Sequence, residues 1–360
     1  MKKIKTSLCL LALSVSTAHA GGFENARLDT SFMYDEGNLV SFGSVRKDFS
    51  VNGSTFGTTK SLIGDRSASN LSAKYQVNDK LALGLTAYDS GAIHINYQGA
   101  GGLTSVNTFG PKVDLVSDSV AIMSKYALSE SFSVTAGVRY DTFKVSNADI
   151  FKLQLGGTPS SVASETDIVP VVAVAFEKPE IALRVELVKQ SESYVSMHTT
   201  CTGSPCATGD STGGLADYLT LNFQSGVAEN TLIFGSVHKG SWASSQLSVA
   251  DNTPTTATSA FKDSTEYSLG LGRKFSDNLS GSISYNWEPE GSSTTTSLFT
   301  VNNGYKGVSL GVKYALENFE IAAGYNYTKL GDVTYTGLPD NNTLTDNSVT
   351  ALGAKVTIRF

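Results

Sequence analysis

The sequence has no apolar run after residue 20 that is long enough to cross a membrane as a helix. Such a helix needs about 20 consecutive apolar residues, and Gly, Ser, Thr and Asn interrupt this 360-residue chain throughout. The chain also lacks a cluster of Lys and Arg, and its 33 acidic residues outnumber its 27 basic ones. These absences argue against a helical membrane protein and against nucleic acid as a partner.

Cysteine and histidine are scarce, with three and four copies in the whole chain. Cys201 and Cys206 stand five positions apart, and in an oxidising compartment the simplest interpretation is a local disulfide that closes a tight loop. A metal site would need more soft ligands, and only His198 is nearby. We therefore predict no metal and no cofactor.

Motifs of catalysis are missing as well. The sequence has no Gly-x-Ser-x-Gly elbow and no phosphate-binding loop, although a hydrolase built on a barrel would need a Ser or Asp beside a positioned His. His94 lies near the end of a predicted strand, where we interpret it as a rim residue. We predict that the protein is not an enzyme.

The N-terminus has the three parts of a secretory signal: basic Lys2 and Lys3, an apolar run over residues 8–15, and Ala-His-Ala at 18–20. We predict cleavage after residue 20. The loss of three lysines would leave 24 of the 27 basic residues against 33 acidic ones, a formal charge of −9. The predicted organisation is a signal peptide (1–20), a short N-terminal segment (21–38) and a transmembrane barrel (39–360).

From about Leu39 to Phe360 the chain repeats stretches with apolar residues at every second position. In residues 132–141, for example, apolar side chains alternate with Ser, Thr, Gly, Arg and Asp. This period indicates strands with one apolar and one polar face. Six pairs of strands flank short polar turns, and single strands at about 39–50 and 347–360 bring the number to about fourteen, an even number as in bacterial outer-membrane barrels.

The lengths of the connections predict how the strands are oriented. Short turns alternate with long loops rich in Ser, Thr, Gly and Asn, so that every long loop falls on one side. We predict an all-β fold: a transmembrane antiparallel β-barrel in the bacterial outer membrane, with short periplasmic turns and long extracellular loops. The predicted loops are 51–67, 98–113, 148–166, 196–214, 243–262, 289–304 and 335–346.

Aromatic and charged residues add two expectations. Tyr and Trp near strand ends would form the girdles at the two membrane interfaces: Tyr75, Tyr88, Tyr97, Tyr126, Tyr140, Tyr194, Trp242, Trp287, Tyr305, Tyr314 and Tyr327. Six charged residues are in phase with the polar faces and would line the lumen: Arg139, Asp141, Arg184, Glu186, Lys313 and Glu320. They would either neutralise one another as pairs that fill the interior or contact a substrate.

Two stretches resemble a known family. Residues 224–237, followed by Trp242, look like a strand-turn-strand of the long-chain fatty-acid transporter (FadL/TodX-type) family of outer-membrane proteins. The ending at 354–360 resembles the terminal strand that the outer-membrane assembly machinery recognises, with Phe360 last. The family's barrel also has fourteen strands. Its members carry a longer plug with an Asn-Pro-Ala motif before the first strand; that motif is absent here.

The resemblance implies passive uptake of long-chain fatty acids or other hydrophobic molecules, which land on apolar outer loops, enter the barrel and leave sideways through the wall. By loop order, capture would involve the third outer loop, where apolar residues cluster: Ile150, Phe151, Leu153 and Leu155. These could instead pack the loop onto the barrel rim. From the N-terminal segment, Phe23, Leu28, Phe32 and Met33 would enter the lumen as a reduced plug.

Two other functions remain open at this point. A diffusion porin for polar solutes would show a charged constriction and an open lumen, and a structural or adhesin barrel would use its loops for contacts with a partner. The expected partners of the transporter are a hydrophobic small molecule, outer-membrane lipid and lipopolysaccharide, and the barrel assembly machinery through Phe360. A closed barrel has no exposed strand edge, so we expect a monomer.

Overall fold

The fold was analysed in a computed structural model, which describes residues 22–52, 61–96, 112–149, 158–159, 164–199, 201–202, 209–249, 257–297, 299–336 and 342–360. The predicted signal peptide lies outside these ranges and stays a prediction. No helix in the described ranges is long and apolar enough to cross a membrane. Two short 3₁₀-helices occur, at Ser31–Tyr34 and Pro179–Ile181.

Fourteen antiparallel strands form a closed barrel in which each strand pairs with its neighbours along the chain. The ring is closed by β1 and β14, which pair from Leu39 opposite Arg359 to Ser50 opposite Ser348. The predicted fold class and strand number are confirmed. The strands are β1 Leu39–Ser50, β2 Arg66–Gln76, β3 Leu81–Asn96, β4 Lys112–Ala127, β5 Phe132–Asp149, β6 Glu165–Lys178, β7 Leu183–Gln190, β8 Tyr218–Ala228, β9 Thr231–Gly240, β10 Ser264–Lys274, β11 Leu279–Glu288, β12 Tyr305–Ala315, β13 Phe319–Leu330 and β14 Ser348–Arg359.

The alternation of the strands is inverted relative to a water-soluble barrel. Large apolar side chains such as Phe42, Ile122 and Leu352 point outward and are 55 %, 58 % and 65 % exposed. Polar side chains such as Ser72 and Thr86 point inward and are buried, with their hydroxyls 3.0 Å apart. An apolar surface that encircles the molecule is far larger than the patches that water-exposed proteins tolerate. This outer face suits lipid.

The two ends of the barrel differ as the sequence predicted. Six short turns lie at one end, here called the turn end, and all seven long connections lie at the other, the loop end. The observed connections agree with the predicted loops to within five residues at each boundary. Parts of the loops pair with one another in small sheets, the largest of which joins Val195–Thr199, Gly209–Gly213, Ser248–Val249 and Ala257–Thr258.

The side chains of Tyr75, Tyr126, Tyr140, Tyr194, Tyr314 and Tyr327 are exposed, as girdle residues must be, and their level in the membrane stays a prediction. The prediction is wrong for Tyr88, Trp242 and Tyr305, which are buried. Position along a strand sets the level of a residue in the membrane, but it does not decide whether the side chain points into the barrel or toward lipid. Tyr88 and Tyr305 are on the inward phase of β3 and β12, and Trp242 follows β9 and packs against Phe23 inside the barrel. Tyr97 lies outside the described residues.

Two separate groups of apolar side chains fill parts of the lumen. The loop-end cluster is the larger and includes Phe23, Ile93, Trp242, Phe261 and Val301. The turn-end cluster is smaller. It packs the 3₁₀-helix against the wall and contains Phe32, Met33, Leu39, Ala82, Ala121, Met123, Val171, Ala173 and Val188.

Candidate functional site: the barrel lumen and its N-terminal segment

Residues 22–38 run inside the barrel from the loop-end cluster to the turn end, where β1 begins. This N-terminal segment contacts inward-facing side chains of strands on opposite sides of the ring, among them Lys47 of β1, Glu186 of β7 and Lys355 of β14. The side chains of Phe23, Phe32 and Met33 are all buried. The segment therefore occupies the lumen, although it is short.

The upper part of the segment pairs with the wall through its backbone. Asn25 N–H donates to Ser90 O at 2.8 Å, and Ala92 N–H donates to Phe23 O at 2.9 Å. These bonds make an isolated antiparallel bridge between Glu24 and Gly91 of β3. The buried ammonium of Lys47 donates to the backbone and side-chain oxygens of Asn25 at 2.5 and 3.0 Å.

The lower part of the segment is held by charged and polar side chains. The Glu186 carboxylate accepts hydrogen bonds from Thr30 at 2.8 Å and from Tyr34 at 2.9 Å. Asp29 lies 3.5 Å from the Lys355 ammonium, and Asp35 lies 3.1 Å from the Arg359 guanidinium. Each contact joins the segment to a polar inward position of the barrel. Together they occupy the turn end of the lumen.

Burial and neighbouring charges shift the pKa values of the segment's ionisable groups. Burial opposes the ionisation of Asp29, but the Lys355 charge and the hydrogen bonds from Ser31 outweigh it and lower the Asp29 pKa. Burial and the nearby Glu186 carboxylate both raise the Tyr34 pKa. Burial alone would lower the Arg27 pKa, but Glu266 and Glu24 raise it above its ordinary value. Asp29 and Arg27 are therefore held in their charged forms.

Two wall glycines leave room for the segment. A Cβ atom on Gly84 of β3 would lie 2.1 Å from Met33 Sδ, and one on Gly91 would lie 2.9 Å from the Phe23 ring. Any side chain at these positions would collide with the segment. The wall of β3 is thus shaped to accept Phe23 and Met33.

The structure places the six charged residues predicted for the lumen in two kinds of contact. Arg139 and Asp141 form a fully buried pair with Nη2 2.8 Å from Oδ2, and Lys313 lies 3.4 Å from Glu320. Arg184 and Glu186 contact the N-terminal segment instead. The Arg184 guanidinium stacks 4.4 Å above the Tyr34 ring.

The hydrogen-bonded ladder of the barrel has a break between β2 and β3. These strands pair from Asn70 opposite Tyr88 to Gln76 opposite Ala82, and backbone pairing with β3 resumes only at the bridge between Ile63 and Ile95. Just above this point β3 has a β-bulge at 89–91 against β4, and bulges bend a strand away from its neighbour. The segment's bridge to Gly91 lies at this break.

A small apolar pocket adjoins the break on the inside of the barrel. Its cavity measures about 30 Å³. Its walls are mainly apolar, with Glu24, Arg66 and His94 as the ionisable residues, and the large apolar residues are Phe23, Ile63, Ile93, Ile95, Phe261, Phe299 and Val301. The pocket is part of the loop-end cluster.

Arg66, the first residue of β2, is the buried cation of this pocket. Its Nη1 donates to Ala92 O at 2.5 Å, and its guanidinium stacks 4.6 Å from the centre of the Phe49 ring. Its Nε is buried and makes no hydrogen bond, and no carboxylate of a described residue lies within salt-bridge distance. A guanidinium in this setting can bind an anionic group at low desolvation cost.

The lower half of the lumen contains a larger and more polar cavity of about 230 Å³. Arg184, Glu186, Asn222 and Lys355 line it together with residues 26–32 of the segment, and apolar wall residues such as Val188, Leu232 and Phe234 also contribute. Burying a hydrocarbon among these groups would remove their water without supplying new hydrogen bonds, which is costly. The two halves of the lumen therefore differ in the ligands they can hold.

Several predicted site residues fall outside the described residues. These are Ile150, Phe151, Leu153 and Leu155 of the third outer loop, together with Cys206, so the capture loop and the Cys201–Cys206 disulfide stay predictions. His94 is described and lies on β3 opposite Asp114, with Nδ1 3.0 Å from the carboxylate.

Comparison with known proteins gives matches at the level of structure. No protein-family model and no curated protein matches the sequence. A Pseudomonas aeruginosa FadL homologue matches 91 % of both chains at 10 % identity, with a TM-score of 0.72. The Ralstonia pickettii toluene transporter TbuX covers 96 % of this chain and 97 % of its own at 12 % identity, with a TM-score of 0.60. The Pseudomonas putida toluene transporter TodX covers 91 % of both chains at 12 % identity, with a TM-score of 0.61.

This chain has the FadL-type fold. The resemblance found in the sequence is thus confirmed for the architecture, including the number of strands. Within this FadL-type barrel, reasoning from the sequence missed several residues that form the site, namely Glu24, Arg27, Arg66, His238 and Glu266. His238 and Glu266 could have been noticed, because both are on the polar phase of their strands. Nothing in the sequence indicates that Glu24 and Arg27 lie beside them.

Proposed function

We propose that this protein is an outer-membrane passive channel for hydrophobic small molecules, which bind at the loop end of the barrel and leave through its wall. The main support for this proposal is the position of the apolar pocket beside the break between β2 and β3. The path straight down the barrel, in contrast, passes polar side chains and the N-terminal segment. A hydrophobic molecule would therefore meet less resistance sideways.

The membrane position follows from the outer surface. The outward apolar side chains face lipid in this proposal, and the exposed Tyr side chains at the strand ends lie at the interfaces. The turn end faces the periplasm and the long loops face outward, toward lipopolysaccharide, as in bacterial barrels. Residues 1–20 would direct export, Phe360 would engage the assembly machinery, and the closed barrel would act as a monomer.

Release would involve the N-terminal segment. Its backbone pairs with Ser90 and Ala92 of β3, where the backbone ladder between β2 and β3 is interrupted. A small shift of Phe23 would join the pocket to the break in the wall, because the Phe23 ring lines the pocket and its carbonyl oxygen holds the bridge. No energy source is needed if the ligand binds the bilayer better than the pocket.

A porin for polar solutes fits the lumen less well. Met33, Tyr34 and Asp35 fill the turn end, where they contact Lys125, Lys74 and Arg359. An open water channel would require this whole set of contacts to break. The third outer loop, with Phe151, keeps its proposed role in the first capture of substrate.

Arg66 indicates which hydrophobic molecules are preferred. A neutral hydrocarbon would leave the buried Nε without a partner, whereas a carboxylate could accept from it, and a hydrogen bond to a charged group contributes about 1.5–3 kcal/mol. We therefore favour amphipathic acids with a long apolar tail, such as fatty acids, over neutral hydrocarbons.

A direct test uses the purified mature protein in liposomes. We expect low ion conductance, saturable binding of radiolabelled long-chain fatty acid, and transfer of that acid into the bilayer. Deletion of Ser90, the extra residue of the bulge between β3 and β4, should straighten β3, bring it closer to β2 and slow transfer into the bilayer. Large steady conductance without fatty-acid binding would reject the proposal in favour of a porin. Unchanged transfer by the Ser90 deletion would reject the route through the wall.

A further inference from the structure

Three potential metal ligands meet where the N-terminal segment touches the wall. Glu24 belongs to the segment, and His238 of β9 and Glu266 of β10 are directly opposite each other in the sheet. One ligand atom from each residue lies within 4.8 Å of the other two, and all three side chains are buried. These distances allow a single ion to contact all three.

The His238 imidazole is oriented toward the two carboxylates. Its Nδ1 is 2.8 Å from Thr220 Oγ1 of β8, and its ring stacks on Tyr218 with centroids 5.1 Å apart. Its Nε2 is buried and lies 3.3 Å from Glu24 Oε2, yet it makes no hydrogen bond. A histidine fixed through one nitrogen, with the other aimed at carboxylates, is the usual arrangement of a metal ligand and its supporting residue.

We propose that Glu24, His238 and Glu266 form a binding site for a divalent transition metal. One imidazole nitrogen and two carboxylate oxygens suit Zn²⁺, Mn²⁺ or Co²⁺. Ca²⁺ prefers six to eight oxygen ligands, so it fits this set less well. Because Glu24 belongs to the segment and the other two ligands to the wall, the ion would tie the N-terminal segment to β9 and β10.

Arg27 is the competitor for this position. Its Nε lies 3.2 Å from Glu24 Oε2, its Nη2 contacts Glu266, and Tyr305 donates a hydrogen bond to the same Glu266 carboxylate. The metal would take over the Arg27 contacts to both carboxylates. The site therefore has two alternative occupants, a guanidinium and a metal ion, and removal of the guanidinium should favour the metal.

The test measures metal binding to the full mature protein, folded in detergent and treated with a chelator. Equilibrium dialysis against Co²⁺ or Zn²⁺, followed by elemental analysis, should give one bound ion per chain, and bound Co²⁺ should show visible absorption. His238→Gln and Glu266→Gln should each weaken binding by about 100-fold or more. Thr220→Val, which removes only the support of Nδ1, should weaken binding by about 10- to 100-fold.

Two further variants separate this site from others. Arg27→Gln should bind the ion more tightly than the unmodified protein. His198→Gln removes an exposed His beside Asp210 and should leave binding unchanged. Heat-dependent migration in gel electrophoresis shows which variants are folded barrels. The proposal is wrong if neither the unmodified protein nor Arg27→Gln binds an ion, or if folded His238→Gln or folded Glu266→Gln binds it as tightly as the unmodified protein.

Discussion

The loop-end and turn-end halves of the lumen are built from the same strands but differ in how much apolar packing each contains. At the loop end, Phe23, Trp242 and Phe261 pack ring against ring. At the turn end, the segment makes ion pairs and hydrogen bonds, such as Asp29 with Lys355 and Thr30 with Glu186, beside the apolar packing of Phe32 and Met33. The N-terminal segment crosses both halves. The lumen thus has an apolar loop end and a turn end in which charged and apolar contacts are mixed.

If the protein carries hydrophobic molecules as proposed, this difference explains how a barrel with polar inward positions can do so. A uniformly polar lumen would exclude them, and a uniformly apolar one would leave the inward Arg, Lys and Glu side chains without partners. In the proposed route, this division would confine the ligand to the half that touches the break between β2 and β3.

The largest expected effect is at the buried ion pair of Arg139 and Asp141. Arg139→Leu would leave Asp141 fully buried without its ion-pair partner, which should lower the free energy of unfolding by about 3–5 kcal/mol. Urea titration of the protein folded in lipid vesicles would measure the change. The double variant with Asp141→Leu should recover much of the loss, since neither charge then remains.

A control for this prediction is available on the same strand. Lys144 pairs with Asp118 at 2.9 Å, but both side chains are about half exposed. Lys144→Leu should therefore change the free energy of unfolding by no more than about 1 kcal/mol. Equal losses for Arg139→Leu and Lys144→Leu would contradict the importance of burial.

The second prediction concerns the charge of Arg66 in the loop-end half of the lumen. Arg66→Gln should weaken the binding of a long-chain fatty acid by about 10- to 100-fold, which corresponds to about 1.5–3 kcal/mol, and should leave the matching long-chain alcohol unaffected. Competition binding with both ligands would measure this. Arg46→Gln, at an exposed arginine of β1, should change neither. Equal weakening of acid and alcohol would assign Arg66 a role in packing only.

How far this site could be predicted depends on the range of the interactions involved. The phase of each strand is a local property, so the inward positions of Arg139 and Glu320 could be found from alternation alone. Trp242 could not, because it follows the last residue of β9 and its direction depends on Phe23 and Phe261, which are distant in sequence.

The course of the N-terminal segment shows the same limit. Phe23, Phe32 and Met33 stand out as apolar residues before the first strand, but their partners are wall glycines, Gly84 and Gly91, whose fit to the segment exists only in three dimensions. The meeting of Glu24 with His238 and Glu266 likewise joins residues more than 200 positions apart. No local pattern encodes such a contact.

The third prediction concerns a substitution that reduces the volume of the small loop-end pocket. Val301→Phe should fill the small pocket with the added ring and weaken ligand binding by about 10-fold. A ligand that enters would then overpack the site, which costs about 1–3 kcal/mol. A fluorescent fatty-acid titration would measure the affinity. Val312→Phe on the outward face of β12 should bind as the unmodified protein does. Unchanged affinity for Val301→Phe would place the ligand elsewhere in the lumen.

The smallest expected effect is in the turn-end half and depends on pH. The Asp29 pKa in the folded protein lies below its ordinary value of 3.8, so the charged carboxylate stabilises the fold above that value. This contribution is lost as the pH falls through the lowered pKa. The free energy of unfolding of the unmodified protein should exceed that of Asp29→Asn by about 1 kcal/mol or less at pH 7, and the difference should vanish in strong acid. A difference that persists below the lowered pKa would show that the charge of Asp29 beside Lys355 is not its cause.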